Sequence, residues 1–318
     1  MIELIAALYH GVYSQLIRLL STMYSQLIRE FVEQETLPAS YVEDAAEFVV
    51  PLTELIAKQI VAANECLVIG INGAQGTGKT TLAKLCTKLL EARKFRIANL
   101  SIDDFYLTKS ERLQLATDRH QLLGTRGVPG THDVRLLLDK LSELKILKSA
   151  GSCEVPRFNK ASDDRLGQND WQCISGPVDA IILEGWFVGV PPQEIADLQQ
   201  AINSLEEDED TDGQWREYVN SQLAGLYQQV FKQFSSLVML QAPSFEQVFT
   251  WRALQEEKLQ RTTSTNVSKI MNSEQLHRFI QHYERLTRHC LDVLPSQANI
   301  VFELGSDHRF KNVSGMNS

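Results

Sequence analysis

A glycine-rich segment constrains the fold of this chain more than any other feature. Residues 66–85 have the sequence CLVIGINGAQGTGKTTLAKL. Within them, Gly73, Gly78, Lys79 and Thr80 fill every fixed position of the pattern G-x-x-x-x-G-K-[ST], the phosphate-binding P-loop. The pattern predicts that the backbone wraps around the phosphates of a nucleotide.

The residues on both sides of the pattern predict its secondary structure. The apolar, β-branched run 67–71 predicts a buried parallel strand, and Leu82, Leu85 and Leu89 recur at helical spacing. A strand, a glycine-rich turn and a helix N-terminus form an anion-binding unit, because free N–H groups and the positive end of the helix face the phosphates. The alternative, an ordinary glycine-rich turn with a solvated lysine, is disfavoured by these flanking elements.

The motif therefore predicts a nucleoside triphosphate bound together with Mg²⁺. We expect Lys79 to reach the β- and γ-phosphates, Thr80 to ligate Mg²⁺ and Thr81 to add a hydroxyl at the α-phosphate. The predicted nucleotide-binding residues are Gly73, Ala74, Gln75, Gly76, Thr77, Gly78, Lys79, Thr80 and Thr81.

Composition excludes several other classes of protein. The net charge of −9, with no basic stripe, argues against a nucleic-acid partner. No run of 18 apolar residues suggests a membrane span, and the first residues lack the pattern of a signal peptide. The five cysteines are odd in number and show no paired spacing, which predicts reduced thiols and a cytoplasmic location.

Beyond the P-loop, the chain alternates between apolar strands and helical stretches. At 318 residues it exceeds a usual single domain, and we expect a helical N-terminal segment, residues 1–62, and a P-loop domain, residues 63–318. The pattern predicts an α/β, P-loop NTPase fold: a five-stranded parallel sheet with helices on both faces. The acidic stretch 206–212 is expected to form a solvated loop. The predicted strands are 66–71, 96–102, 179–183, 236–240 and 299–304.

Two acids follow predicted strands at the edge of the sheet where the P-loop lies. Asp103 closes the second strand, where a carboxylate can accept the proton of an attacking hydroxyl; alternatively, Asp103 or Asp104 caps the next helical turn. Glu184 ends the third strand and is expected to hold Mg²⁺ directly or through water; the alternative is a plain strand-end acid. Carboxyl ends of parallel strands gather active residues, so these groups should lie together.

Three segments make the chain similar to the phosphoribulokinase, uridine kinase and pantothenate kinase group: Lys79-Thr80, Asp103-Asp104-Phe105-Tyr106 and Glu184-Gly185-Trp186. Within that group it most resembles the D-glycerate 3-kinase family, over about residues 66–305. This resemblance implies a kinase that uses Mg²⁺ and ATP to convert D-glycerate into 3-phosphoglycerate, with Asp103 as the base. It rests further on RGVPGTHD at 126–133, PRFNK at 156–160, Leu183 and Gly189, Trp215-Arg216, Asn220, Leu223, Tyr227, Trp251-Arg252 and Gln255-Glu256.

The chemistry of the remaining segments suggests which residues bind a small anionic acceptor. Arg126 and His132 are expected to face the anionic acceptor, and Arg157 and Arg165 are further candidates, since a bidentate guanidinium suits a carboxylate. The predicted acceptor-binding residues are Asp103, Tyr106, Arg126, His132 and Arg157. Alternatively, segment 126–133 is only a loop in which Thr131 or Asp133 caps the following helix.

By analogy with such kinases, residues 250–265 form a lid that brings Arg252 and Arg261 to the transferring phosphoryl group. A helix of solvated charges is the alternative. The predicted catalytic residues are Lys79, Asp103, Glu184 and Arg252. The chain departs from the family where Phe158-Asn159 replaces Tyr-Asp and Val128 replaces Asn, which bears on the identity of the acceptor.

Other nucleotide-binding functions remain as alternatives. A switch GTPase needs N-K-x-D after a strand, whereas Asn159-Lys160-Ala161-Ser162 only approximates it and follows Pro156. A motor or chaperone ATPase would hydrolyse ATP without an acceptor. Among kinases, a nucleoside, a pantothenate-like alcohol or another hydroxy acid are the competing acceptors. The sequence does not predict the oligomeric state or the role of the N-terminal helices.

Overall fold

The computed structural model describes residues 24–262 and 272–316, with the backbone alone for 255–262. Its helices are α1 (24–34), α2 (Tyr41–Asp44), α3 (Val50–Ala62), α4 (Lys79–Ala92), α5 (Lys109–Asp118), α6 (Val134–Lys145), α7 (Ser204–Glu209), α8 (Gln214–Gln222), α9 (Gln228–Phe231), α10 (Phe245–Thr262) and α11 (Ser273–Val293). Its strands are β1 (Leu67–Gly73), β2 (Ile97–Ser101), β3 (Ser152–Val155), β4 (Phe158–Asn159), β5 (Asp164–Arg165), β6 (Gln172–Ser175), β7 (Ala180–Gly185), β8 (Ser236–Gln241), β9 (Ile300–Leu304) and β10 (Phe310–Ser314).

The central sheet has the order β10-β9-β8-β1-β7-β2. Five of its strands are parallel and coincide with the five predicted strands, within two residues at each end. The prediction of five strands is wrong by one, because β10 pairs antiparallel with β9. This short hairpin lacks an apolar run, and Phe310 packs instead on Phe302 of the neighbouring strand and on Phe48, which is distant in sequence.

Helices cover both faces of the sheet, as the sequence predicts. Alternate side chains of β7 enter two different cores: Ile181 and Leu183 on one face, Ile182 on the other. Burial on both faces is why the parallel strands are nearly continuous apolar runs.

The N-terminal helices pack on the second of these faces. Ile28 of α1 and Leu52 of α3 are buried in one cluster with Leu82 of α4 and Ile69 of β1. An ion pair of 2.8 Å between Lys84 and Glu35 also joins α4 to the N-terminal segment. These helices thus share a core with the helix that follows the P-loop.

A small two-hairpin insert, residues 152–175, lies between α6 and β7. In it, β3 pairs with β6, and β4 pairs with β5, both antiparallel. The insert carries Arg157, Phe158 and Lys160 to the carboxyl edge of the central sheet, where Phe158 and Lys160 contact the segment after β2.

The acidic stretch is not the solvated loop that its composition predicts. Residues 204–209 form helix α7, and Glu206 and Asp210 are fully buried. Arg285 of α11 makes an ion pair of 2.6 Å with Glu206, and Arg216 makes one of 2.9 Å with Asp210. The expectation of a solvated loop is wrong because the number of acids in a stretch does not show which of them form ion pairs with buried arginines.

All five cysteines are free thiols. Across the described residues, every helix is too short or too polar to cross a lipid bilayer.

The buried pair between Glu206 and Arg285 gives a test of stability. We expect Glu206→Ala to lower the free energy of unfolding by about 3–5 kcal/mol, because it leaves a buried guanidinium without its carboxylate. The neighbouring Glu207 is exposed, so Glu207→Ala should change stability by less than about 0.5 kcal/mol. Urea denaturation of both variants measures the difference, and equal losses would contradict the assignment.

Candidate functional site

The P-loop has the conformation that phosphate binding requires. β1 ends at Gly73, residues 74–78 turn, and α4 begins at Lys79. Gly76 and Gly78 have φ of 81° and 87°, a left-handed region that favours glycine. The Thr77 hydroxyl donates a hydrogen bond of 2.8 Å to the Ala74 carbonyl and closes the turn. The N-terminus of α4 thus presents free backbone N–H groups together with Thr80 and Thr81.

Glu184 lies beside the start of α4. The parallel register places it between Ile71 of β1 and Ser101 of β2. The Thr80 hydroxyl donates a hydrogen bond of 2.9 Å to Glu184 Oε1. Glu184 is 4% exposed, and its Oε2 is buried with no hydrogen-bond partner among the described residues.

These two side chains fit a magnesium ion. Mg²⁺ prefers oxygen ligands and usually takes only one or two protein side chains, with phosphates and waters completing its shell. A buried carboxylate oxygen without a partner, next to a hydroxyl, is such a donor set. Among residues 24–254 and 272–316, whose side chains are described, His, Cys, Asp and Glu form no cluster of three that could hold a metal ion.

Asp103 lies just after β2, in a short 3₁₀ turn from Ile102 to Phe105. Ser101 caps that turn, so the capping role considered for Asp103 does not apply. The Asp103 carboxylate instead accepts hydrogen bonds of 2.9 Å from the Tyr106 hydroxyl and 2.8 Å from Lys160 Nζ. Tyr106 therefore orients the carboxylate in this state.

Positive charge dominates the surroundings of Asp103. Burial by itself would raise the pKa of this carboxyl, but the charges of Lys160 and Lys79 outweigh burial and hold the pKa well below its usual range. Conversely, the charge of Asp103 raises the pKa of Lys160. Since Lys79 acts on Asp103, the P-loop lysine and the proposed base belong to one electrostatic cluster.

Asp104 attaches the insert to the sheet. Its carboxylate accepts hydrogen bonds of 2.8 Å from Arg157 and 3.1 Å from the Phe158 N–H. Burial raises the pKa of Asp104 despite these two donors. Arg157, a predicted acceptor-binding residue, is therefore paired with an acid, and its side chain is 47% exposed.

Segment 126–133 forms a wall close to Asp103, held by hydrogen bonds from two aromatic side chains. The indole N–H of Trp186 donates to the Gly127 carbonyl at 3.0 Å, and the Tyr283 hydroxyl donates to the Arg126 carbonyl at 2.9 Å. A Cβ at Gly127 would lie 2.4 Å from the Tyr283 hydroxyl, so only glycine permits this approach. The Arg126 guanidinium makes an ion pair with Asp163 of the insert.

His132 is buried against Tyr106, close to Asp103, rather than open to solvent. Its ring stacks on Tyr106 with centroids 4.3 Å apart, and its Nδ1 hydrogen-bonds the Tyr227 hydroxyl at 2.8 Å. Burial lowers the pKa of His132 to about 3, so the ring is neutral. Its Nε2 is buried without a partner among the described residues.

Asp133, rather than Thr131, caps helix α6. Its carboxylate accepts a hydrogen bond of 3.1 Å from the Leu136 N–H and also pairs with Arg165 at 3.1 Å. Arg165 additionally lies 3.7 Å from Glu111. With two acids already around it, Arg165 is the weakest of the arginine candidates for the acceptor.

Residues 250–262 of the predicted lid form the second part of α10. Trp251 packs against the P-loop, since a Cβ at Gly76 would lie 2.9 Å from Trp251 Cβ. The Arg252 guanidinium lies 5.9 Å from the centre of the Phe279 ring of α11. The side chains of Gln255, Glu256 and Arg261, and residues 263–265, are outside the part of the chain that is described.

Sequence reasoning missed three charged residues around this site. In the sequence, Lys160 belongs only to a family segment and to an incomplete N-K-x-D pattern, and Arg112 and Asp163 belong to no motif. Arg112, in α5, is fully buried and pairs with Asp163 at 3.1 Å. In the sequence, Arg112 is only a basic residue in a region without motifs. Nothing there shows that it is buried or which residue it pairs with.

Comparison with known proteins identifies the family. Residues 68–216 match the model of the phosphoribulokinase/uridine kinase family. A probable ATP-dependent kinase of Saccharomyces cerevisiae is 30% identical over 246 residues, 73% of this chain and 80% of that protein. The chain belongs to the phosphoribulokinase/uridine kinase family.

Two further relatives refine this assignment. The chloroplastic D-glycerate 3-kinase of Arabidopsis thaliana is 31% identical over 68% of this chain, which spans 46% of that protein. The solved structure of D-glycerate 3-kinase from Cryptococcus neoformans superposes with a TM-score of 0.69 at 23% identity, covering 84% of this chain and 98% of that one, and supports the fold. This member of the family is thus a P-loop kinase of the glycerate kinase and uridine kinase type, with a small-molecule substrate. The cytoplasmic location stays a prediction.

The fit of Mg²⁺ to Glu184 can be tested directly. We expect Glu184→Gln to raise the Mg²⁺ concentration for half-maximal ATP turnover by about tenfold or more, because an amide replaces a charged ligand. Glu91 is a suitable control, since it lies at the far end of α4 from Thr80. A Mg²⁺ titration at fixed ATP measures both variants, and an unchanged Mg²⁺ requirement in Glu184→Gln would remove this acid from the metal site.

Proposed function

We propose that this kinase transfers the γ-phosphoryl group of ATP to a hydroxyl of D-glycerate and forms 3-phosphoglycerate. The observation that carries the proposal is the arrangement around Asp103: a carboxylate at the carboxyl edge of the sheet, paired with Lys160 and within the field of Lys79. A negatively charged acceptor suits a region that also contains Arg126. The D-glycerate 3-kinase relatives support the choice of acceptor.

Asp103 would accept the proton of the acceptor hydroxyl as that oxygen attacks the phosphorus. A carboxylate with a strongly lowered pKa is a weak base, so it gains the proton late, when the hydroxyl has already become acidic. Its main task before then is to orient the hydroxyl, for which its hydrogen bond from Tyr106 fixes the geometry. Phosphoryl transfer in this class depends on positioning and charge rather than on covalent chemistry.

Lys160 is proposed to leave Asp103 when substrates bind. Its side chain is 65% exposed and long enough to reorient, and its present partner is the base itself. If Lys160 turns to the anionic substrate, the pKa of Asp103 rises and the carboxylate becomes a better proton acceptor. Mg²⁺ at Thr80 and Glu184 would neutralise charge on the phosphates. Lys79 and Arg252 are proposed to stabilise the charge that spreads over the transferred group.

An acceptor panel tests the proposed function. The wild-type protein, with Mg²⁺ and ATP, is assayed for ADP release with D-glycerate, L-glycerate, uridine, pantothenate and ribulose 5-phosphate. We expect ADP release to depend on D-glycerate, and the phosphorylated product to be identified by mass spectrometry. ADP formed equally without any acceptor would indicate an ATPase or a switch, and turnover of uridine or pantothenate alone would reassign the acceptor.

The role of Asp103 predicts a particular pH dependence. Asp103→Asn should lower kcat by about 10²-fold or more while ATP binding is kept. In the wild type, the acid limb of kcat/KM set by Asp103 should lie below the ordinary carboxyl pKa of about 3.9, because Lys160 and Lys79 stabilise the charged form. Lys160→Ala removes one of these charges, so the pKa of Asp103 rises and the acid limb moves to higher pH.

The matched control is Lys232→Ala, which removes an exposed lysine beyond α9. It should leave the pH profile unchanged. A profile of Lys160→Ala that coincides with the wild type, or full activity in Asp103→Asn, would contradict the assignment of Asp103 as the base.

A further inference from the structure

One carboxylate near the site is shared by two guanidinium groups. Asp163 pairs with Arg112 at 3.1 Å and with Arg126, while its carboxylate remains 36% exposed. Arg112 is fully buried, and its Nε has no hydrogen-bond partner among the described residues. The positive charges of two guanidinium groups are thus paired with a single carboxylate.

This cluster carries an excess of positive charge. Arg112 and Arg126 contribute two positive charges and Asp163 one negative charge; Arg112 is fully buried, whereas Arg126 and Asp163 are partly exposed. Burial raises the pKa of the Asp163 carboxyl, but the two arginines outweigh burial and lower its pKa overall, so the carboxylate is charged. An incompletely neutralised buried charge is costly, and an added anion would offset that cost.

Two aromatic rings, those of Phe158 and Tyr106, connect this cluster to the proposed base. The guanidinium carbons of Arg112 and Arg126 are 5.6 Å and 5.4 Å from the centre of the Phe158 ring. The same ring contacts Tyr106 edge-on, with centroids 5.1 Å apart, and the Tyr106 hydroxyl holds Asp103. Both arginines therefore lie on the Phe158 side of Tyr106, the side toward which a short acid whose hydroxyl meets Asp103 can extend its carboxylate.

The Asp163 carboxylate can break its ion pair with Arg126 while the loop that carries it stays attached to Arg112. The Asp163 backbone carbonyl accepts a separate hydrogen bond of 2.6 Å from Arg112 Nη2. The backbone at Asp163 is left-handed, with φ of 58°, so this loop is held by its contacts rather than by an intrinsic preference. Arg112 therefore anchors the loop, and Arg126, whose side chain is 24% exposed, is the arginine that can exchange partners.

We propose that the Asp163 carboxylate occupies, in the free enzyme, the position of the acceptor's own carboxylate, and that Arg126 exchanges Asp163 for the acceptor when it binds. Arg126 is then the residue that selects a carboxylate-bearing alcohol over a neutral one. Arg112 is a positioning residue, which keeps the loop and the local positive charge in place. This inference rests on the proposed function, because it assumes an acceptor with a carboxylate.

The kinetic test separates acceptor binding from catalysis. We expect Arg126→Gln to raise the KM for D-glycerate by roughly 10- to 100-fold, the effect of one lost charge-assisted pair, with kcat and the KM for ATP within about threefold of wild type. Discrimination against glycerol, the acceptor without a carboxylate, should fall by the same factor. Arg96→Gln is the control, since Arg96 is an exposed arginine paired with Asp179 at the opposite edge of the sheet.

A second variant tests the exchange itself. Asp163→Asn removes the competing charge but keeps an oxygen for Arg112, so we expect the KM for D-glycerate to fall by about threefold or more. A raised KM in Asp163→Asn would show that Asp163 serves binding only as a structural support, and would overturn the exchange. Thermal unfolding of each variant shows whether it is folded before its kinetics are compared.

The outcomes also separate this inference from the proposed function. If the wild type phosphorylates D-glycerate and Arg126→Gln keeps the same KM, the carboxylate site is overturned and the proposed function stands. A kcat that falls while the KM for D-glycerate is unchanged would likewise overturn it. A wild type with no activity on D-glycerate overturns both.

Discussion

The parallel pairing of β7 with β1 on one side and β2 on the other is the constraint from which the site follows. In that register, Glu184 lies between Ile71 and Ser101, so the residues that continue beyond β1, β2 and β7 all emerge at one edge. The P-loop and Asp103 meet there as a result of this strand order, and hydrogen bonds from Trp186 and Tyr283 hold the wall around Gly127 beside them. A shift of two residues in this register would separate Thr80 from Glu184, which are now 2.9 Å apart.

The parts of the fold that the sequence predicts are those encoded locally. The run from Leu67 to Gly73 and the helix that begins at Lys79 carry their own periodicity and turn chemistry, so both strand and helix follow from a window of 20 residues. The same holds for the other four parallel strands. The proximity of Asp103 and Glu184 to the P-loop also follows, because carboxyl ends of parallel strands share an edge.

The parts that the sequence does not predict depend on pairs distant along the chain. Lys160 meets Asp103 across 57 residues, and Asp163 meets Arg112 across 51. No local pattern distinguishes these residues from solvated ones, as the buried Glu206 within an acidic stretch also shows. Such partners are fixed by the insert and by α11, whose placement is a tertiary property. The acceptor site is therefore harder to predict than the nucleotide site.

The contact between the N-terminal helices and α4 has a thermodynamic consequence. α4 begins with Lys79 and Thr80 at the phosphate-binding turn, and further along its length it shares a hydrophobic cluster with α1 and α3. A nucleotide that holds the first turn of α4 in place adds its binding free energy to every state in which that helix is intact. Any unfolding of α1 that also disrupts α4 must then overcome the binding free energy of the nucleotide. The N-terminal helices and a bound triphosphate would therefore both stabilise α4, the helices through its apolar face and the triphosphate through its first turn.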